Sequence, residues 1–423
     1  MSLRLKVQRQ FYVDFFVFMW MTCWAQAIHS LTHTLRQRDD DGTWRISHKD
    51  YIHKIHPLPL EKDRQTHQPM SDKEHTMLRQ LLGSLQWPAV QSSPHIQAST
   101  SLLSGEMSGG LSSPLLEANK LLRFAKSNAD VHLKFPPIGA LEDLRITCMF
   151  DAALGVRHDQ SSQGGFLILL TNKKAFEGIE TPYHILDWRS FRLPRVARSS
   201  LAAEVQAAAQ AVDSTEFVVR FWHMLLNPTT SLKDTLQISN PSLSPTLITD
   251  AKALYDSFHR DAINHGATDK RTNLELRVIR EQVEGIGGVL RWISSERQFG
   301  DGFTKMAARQ LLADRIRHGA IKFTFDPGYT ASKKKTAAQR AKSRNEFTTT
   351  TNHNQLSHNH NAADDDVPVN DMSPVSNGDL VLEWNRDSAM QLKSLRTTVQ
   401  TSHGGHCWFH LPCFWHCFLE SFL

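Results

Sequence analysis

Hydrophobic positions change their spacing along this chain, and the change divides it. Residues 43–55 alternate in the manner of a hairpin followed by a short helix, after a polar turn at Asp39-Asp40-Asp41-Gly42. From residue 71 apolar side chains recur at three- and four-residue intervals. Met77, Leu78, Leu81, Leu82 and Leu85 fall on one helical face, and Ser71-Asp72-Lys73-Glu74 has the form of a capping box that opens the helix. A second helix is expected over 115–127, after a Gly/Ser-rich loop.

Beyond Pro136-Pro137 the grammar becomes that of strands. Ile146, Cys148 and Phe150 alternate with Arg145 and Thr147, and further strands are expected at 165–171 and 183–188, each bounded by turn formers. A long alanine-rich helix follows from Ser199 to Leu226, with high intrinsic propensity. The pattern then predicts a short buried strand at 246–249, helices at 251–259 and 273–284, a strand at 289–294 and a last helix at 301–318. Strands joined by short turns must pair antiparallel, whereas strands reached through helices must be parallel crossovers. The fold class is therefore α/β, a mixed five-stranded sheet flanked by helices over residues 145–325.

Four segments result: 1–70, which is mixed; 71–136, a small helical unit; 145–325, the α/β domain; and 330–423, expected to be a disordered tail. That tail begins with Lys333, Lys334, Lys335, Arg340, Lys342 and Arg344, continues in Thr, Asn and His tracts, and ends in an apolar stretch dense in Cys, His and Trp. Cys407, Cys413 and Cys417 with their neighbouring histidines lack zinc-knuckle spacing, so that end reads as an apolar tail. At the other end, basic Arg4, Lys6 and Arg9 precede an apolar run over 11–24 that imitates a signal peptide. Asp14 interrupts the run, and it is shorter than a membrane span. We read it as neither signal nor anchor and expect no membrane partner and a cytoplasmic or nuclear location. A net charge of +5 permits a polyanionic partner without requiring one. The five cysteines form no disulfide framework, which fits a reducing compartment.

The candidate chemistry lies in four acids. Asp151 ends the first strand of the α/β domain, Asp250 ends the strand at 246–249, Glu204 lies in the first turns of the alanine-rich helix, and Asp301 begins the last helix. Each has a bland reading: Asp250 and Asp301 as helix N-caps, Asp151 as a turn residue, Glu204 as a solvated glutamate near a helix start. Together they meet a specific requirement. Cutting a phosphodiester needs an activated water, a stabilised pentavalent charge and help for the leaving oxygen, which two hard cations about 3.5–4 Å apart supply. Such ions take carboxylate oxygens from several elements.

These residues resemble the ribonuclease H domain of Pol polyproteins from copia-type LTR retrotransposons. The likeness is carried by Phe150-Asp151-Ala152, by Ser161-Ser162-Gln163-Gly164-Gly165-Phe166, and by Leu186-Asp187-Trp188-Arg189-Ser190. It continues in Ser199-Ser200-Leu201-Ala202-Ala203-Glu204, in Thr249-Asp250-Ala251, and most specifically in Gln298-Phe299-Gly300-Asp301-Gly302-Phe303-Thr304-Lys305. Upstream, residues 78–87 and Leu122-Arg123-Phe124 are similar to the end of the family's reverse transcriptase, and Tyr12-Val13-Asp14-Phe15 resembles a remnant of its tyrosine-x-aspartate-aspartate turn. The second aspartate of that turn is Phe15 here, so polymerase activity is not expected. Where the family shows lysine-histidine-isoleucine-aspartate, this chain reads Lys270-Arg271-Thr272-Asn273.

The resemblance implies a ribonuclease H-like sheet, with residues 1–70 as a truncated palm remnant and 71–136 as the connection to it. It implies that Asp151, Glu204, Asp250 and Asp301 are catalytic ligands of two Mg2+ or Mn2+ ions, and that the substrate is the RNA strand of an RNA:DNA hybrid. A reverse transcriptase acting in trans is the implied protein partner; no small-molecule cofactor is expected. Arg189, Arg192, Arg195 and Arg198, with Lys270 and Arg271, are the candidates for gripping the hybrid backbone. The alternative is an inactive retroelement fragment that binds nucleic acid without cutting it. A transposase or integrase of similar fold would place its glutamate last in chain order, whereas Glu204 comes second.

Overall fold

The computed structural model describes residues 35–61, 64–107, 110–227, 243–260 and 269–324. The signal-like run, the tyrosine-x-aspartate remnant and the tail from residue 330 lie outside them. Among the described residues, no helix is long and apolar enough to cross a membrane.

The alternation upstream of residue 55 is realised as a hairpin, β1 (Leu35–Arg38) and β2 (Trp44–Ser47), followed by α1 (Lys49–Lys54). Gly42 closes the hairpin at a φ of +84°, a conformation that costs glycine little. The capping box is formed at the start of α2 (Asp72–Gln91): Ser71 Oγ accepts from the Glu74 N–H, and the Glu74 carboxylate accepts from the Ser71 N–H at 2.8 Å. The sequence gives no sign of α3 (Gln97–Glu106), because Ser, Thr and Gly are weak helix formers. Packing holds it instead, through buried Ala98, Leu102 and Leu103. Next, α4 (Ser113–Ser127) packs on α2 and α3, and β3 (Leu133–Phe135) adds to β2.

The second sheet has the expected mixed character. β4 (Leu144–Ala153), β5 (Gln163–Asn172) and β6 (Thr181–Arg192) run antiparallel. After α5 (Ser200–Leu226), β7 (Pro245–Thr249) lies parallel to β4. α6 (Lys252–Phe258) and α7 (Lys270–Gly285) then lead to β8 (Val289–Trp292), parallel to β7. The expected final helix is broken into α8 (Asp301–Thr304) and α9 (Arg309–His318), because Lys305 between them is extended, with φ −128° and ψ 124°. A short sixth strand, β9 (Ala320–Ile321), pairs with β6, giving the order β8-β7-β4-β5-β6-β9.

Both faces of this sheet are covered. On one, Ile146, Cys148, Phe150, Ile168 and Leu170 pack against Ala203, Ala207, Ala208 and Ala211 of α5. Small side chains there let the helix lie close to the strands. On the other, Met149, Leu167, Leu169, Ile185 and Trp188 pack against Leu312 and Ile316 of α9 and also against Ile46, Leu133 and Phe135 of the first sheet. The residues upstream of 136 thus supply part of the lid over the second face, each buried large apolar side chain contributing about 1.5–3 kcal/mol. Even Thr147, polar on the strand pattern, is interior and exchanges a 2.9 Å hydroxyl hydrogen bond with Thr171.

Candidate metal centre

The register of the sheet opens a gap beside the end of β4. β4 pairs with β7 only as far as Met149 opposite Ile248, yet it continues to Ala153 on its other edge against β5. Past Ile248 the β7 chain gives Thr249 and then Asp250, whose backbone is held by the Trp292 indole N–H donating to its carbonyl at 2.8 Å. Asp151 therefore stands on a strand edge with Asp250 beside it. α8 closes over the same place. Two close approaches make this possible: a Cβ on Gly165 would come within 2.4 Å of Phe303 Cβ, and one on Gly300 within 2.8 Å of Asp151 Cβ. Buried Ser190 fixes α8 further, its hydroxyl donating to the Phe303 carbonyl at 2.5 Å.

One carboxylate oxygen each from Asp151, Asp250 and Asp301 lies within 4.8 Å of the others. The bland readings fail for these acids. Asp250 does not cap α6, whose N-cap is Ala251, and Asp301 is the first residue of α8, capped by Gly300. Asp151 is 3% exposed and Glu204 9%, so neither is a solvated surface acid. Burial pushes the Asp151 carboxyl up to about 7, with Asp250 and Asp301 adding to the shift and Lys305 and the Thr304 hydroxyl opposing it. Burial raises Glu204 well above the usual range, and Asp151 and Asp250 raise it further, which puts Glu204 electrostatically in the same cluster.

A divalent cation fits these residues. The donors are all hard carboxylate oxygens, and Glu204 Oε2 is buried without a hydrogen-bond partner among the described residues, a costly condition for which a cation would compensate. Two further groups belong to the centre. The Thr304 hydroxyl donates to Asp151 Oδ2, and Lys305 Nζ lies 2.5 Å from Asp301 Oδ1 and 3.8 Å from Asp151 Oδ2. Sequence reading passed over both, although Lys305 stands four residues after Asp301, a spacing that pairs charges on helices.

The six candidate backbone contacts do not form one surface. Arg195 pairs with Glu275, and the charges of Arg271 and Asp269 act on it, while Arg198 acts on Asp269. Arg195, Arg198 and Arg271, with adjacent exposed Lys270, therefore gather where α7 begins. Arg192 instead pairs with Asp159 at 2.7 Å, and Arg189 lies half-buried with its guanidinium 5.1 Å from the centre of the Phe191 ring. Arg189 and Arg192 stand three residues apart on β6, so strand alternation puts them on opposite faces of the sheet, and Arg195 and Arg198 lie beyond the strand's end.

No known protein family matches this chain by sequence, and no curated protein does. Solved structures similar to it include two ribonuclease H proteins. The first is RNase H1 from the halophilic archaeon Halobacterium salinarum, at 13% identity over 39% of this chain and 98% of that one, with a TM-score of 0.24. The second is the N-terminal RNase H domain of a Mycobacterium tuberculosis protein fused to maltose-binding protein, at 9% identity over 41% of this chain and 97% of that one, with a TM-score of 0.23. The fold shown is a mixed six-stranded sheet flanked by helices, and the solved neighbours are ribonuclease H domains.

Proposed function

We propose that this chain is a divalent-metal-dependent endonuclease that hydrolyses the RNA strand of RNA:DNA hybrids, descended from a copia-type retrotransposon Pol protein. The observation that carries the reading is the convergence of Asp151, Asp250 and Asp301 within 4.8 Å; Glu204 stands outside that trio and is tied to it by the charges of Asp151 and Asp250, with one buried oxygen lacking a hydrogen-bond partner among the described residues. Acids from three separate elements would have to meet by chance for a purely structural role.

In this reading Asp151, Glu204, Asp250 and Asp301 hold Mg2+ or Mn2+. The metal, when bound, would supply water activation and charge stabilisation at the scissile phosphate. The chain's own groups do the positioning. Thr304 fixes the rotamer of Asp151 through its hydroxyl, and the Trp292 indole anchors the backbone of Asp250. Arg195, Arg198, Lys270 and Arg271 offer positive charge to the hybrid backbone, which carries the salt-dependent part of affinity. A reverse transcriptase in trans would deliver the hybrid.

A hybrid carrying labelled RNA tests this directly. Magnesium-dependent cutting of the RNA strand, abolished by Asp250→Asn with hybrid binding retained, supports the reading. Binding of hybrid with no cutting by the unaltered chain, in magnesium or manganese, refutes it and leaves a nucleic-acid-binding fragment.

A further inference from the structure

The Lys305 ammonium holds a position among the acids that a bound cation would contest. It contacts Asp301 Oδ1 at 2.5 Å and stands 3.8 Å from Asp151 Oδ2, while its charge also reaches Glu204 and Asp250. Its side chain is 47% exposed, against 4% for Asp151 and 25% for Asp301, so the amine enters from the solvent side of an otherwise interior cluster. The backbone explains how it gets there. Lys305 is the extended residue between α8 and α9, and its N–H caps α8 by donating to the Asp301 carbonyl at 3.0 Å. A continued helix would leave this residue on a regular helical path; the break sets its position independently of the helices on either side.

We infer that Lys305 is a resident counter-ion of the metal centre, exchanged for divalent cation on loading: its ammonium neutralises Asp151 and Asp301 in the metal-free chain and swings out to solvent when metal arrives. The inference rests on the metal-binding reading above. Among the described residues, Thr304 and Lys305 both approach Asp151 Oδ2, and they differ in freedom. Thr304 is fully buried in α8, so its hydroxyl stays with the aspartate. Lys305 reaches in through a four-carbon stem with an exposed end, and such a stem reorients without moving the backbone. An ammonium and a divalent ion a few ångströms apart in a site screened from water repel strongly. The amine therefore gives way, and metal affinity is lowered by the ion pair that must first open. Loading and release of metal are thereby made easier to reverse than four carboxylates alone would allow.

Isothermal titration of magnesium and of manganese into the metal-stripped full chain tests this. Lys305→Gln should bind the first ion about tenfold more tightly than the unaltered chain, because no paired cation has to leave, and Lys305→Arg should stay near the unaltered value. Equal or weaker binding by Lys305→Gln overturns the inference. Absence of any metal binding to the unaltered chain sinks the underlying metal reading instead, so the two failures are distinct. A measurement without substitution guards against misfolding of the variant: limited acetylation of the unaltered chain, followed at Lys305 by mass spectrometry with exposed Lys49 as reference. Magnesium should raise the rate at Lys305 several-fold relative to EDTA. An unchanged or lowered rate contradicts release of the amine.

Discussion

The indole N–H of Trp188 donates to the main-chain carbonyl of Ala89 at 2.9 Å, joining β6 of the larger sheet to the C-terminal part of α2. Trp188 also lies in the core that the larger sheet shares with Ile46, Leu133 and Phe135. The helical layer and the sheet are in this sense one folding unit. Trp188→Phe keeps an aromatic ring but removes the donor and the indole's second ring, leaving a buried carbonyl unpaired beside a cavity, and should cost about 1–3 kcal/mol or more in urea unfolding. A fragment limited to residues 145–325 should expose the second face of the sheet, binding a hydrophobic dye and melting below the chain spanning 35–324. Equal melting of the two would show that the upstream residues are dispensable.

Ser190 connects the same layer to the metal centre. Gln163 Nε2 donates to Ser101 Oγ of α3 at 3.0 Å and to Ser190 Oγ at 2.7 Å, and Ser190 in turn donates to the Phe303 carbonyl beside Thr304. Ser190→Ala should destabilise the chain by about 1 kcal/mol. It should also weaken metal binding in calorimetry, through loosened α8, while leaving affinity for the hybrid largely intact.

Gly165→Ala tests the seat of α8 more sharply. Its Cβ would lie 2.4 Å from Phe303 Cβ and 3.0 Å from the Phe303 backbone, so α8 would have to move away from β5. A loss of about 1–3 kcal/mol is expected from overpacking. Metal affinity should fall with it. Wild-type affinity in a folded Gly165→Ala chain would mean that Asp301 does not depend on this contact.

Much of this arrangement is legible in the sequence, for identifiable reasons. Alternation over 145–150 marks the strand but not its end: β4 runs on to Ala153, so Asp151 lies within it, whereas Asp250 does follow the last residue of β7. Glu204 and Asp301 gain meaning only as members of that set. The opaque parts depend on tertiary packing. α3 is built from Ser, Thr and Gly and exists because Leu102 and Leu103 are buried. The break at Lys305 has no proline or glycine at that residue to announce it, so a single helix over 301–318 was the simpler pattern. Arg189 and Arg192 parted from Arg195 and Arg198 because even spacing along a strand and loop does not define a common face.

Two buried histidines set a pH dependence. Burial pushes His95 from the usual value near 6.5 down to about 3, the charge of Arg317 adding to this. Burial likewise lowers His184 to about 4, against the pull of its hydrogen bond to the Pro136 carbonyl. Both values lie below that of the unfolded chain, which therefore takes up protons first as pH falls. The stability of the neutral forms is complete above about pH 6.5 and is lost progressively as pH drops toward the folded values. Asp151, raised by burial, has the opposite sign over part of this window. The diagnostic is thus a comparison: His95→Gln should flatten the decline in melting temperature between neutral pH and about pH 4 relative to the unaltered chain. Parallel declines would assign the acid sensitivity to other groups.

Anomalous diffraction from crystals soaked in manganese bears most directly on the carboxylate cluster. The expected result is a peak bonded to Asp151 and Asp250, with Glu204 or Asp301 completing its coordination and the Lys305 amine displaced toward solvent. A map with no peak among these side chains, at manganese concentrations that saturate calorimetric binding, would contradict the assignment of a metal centre here.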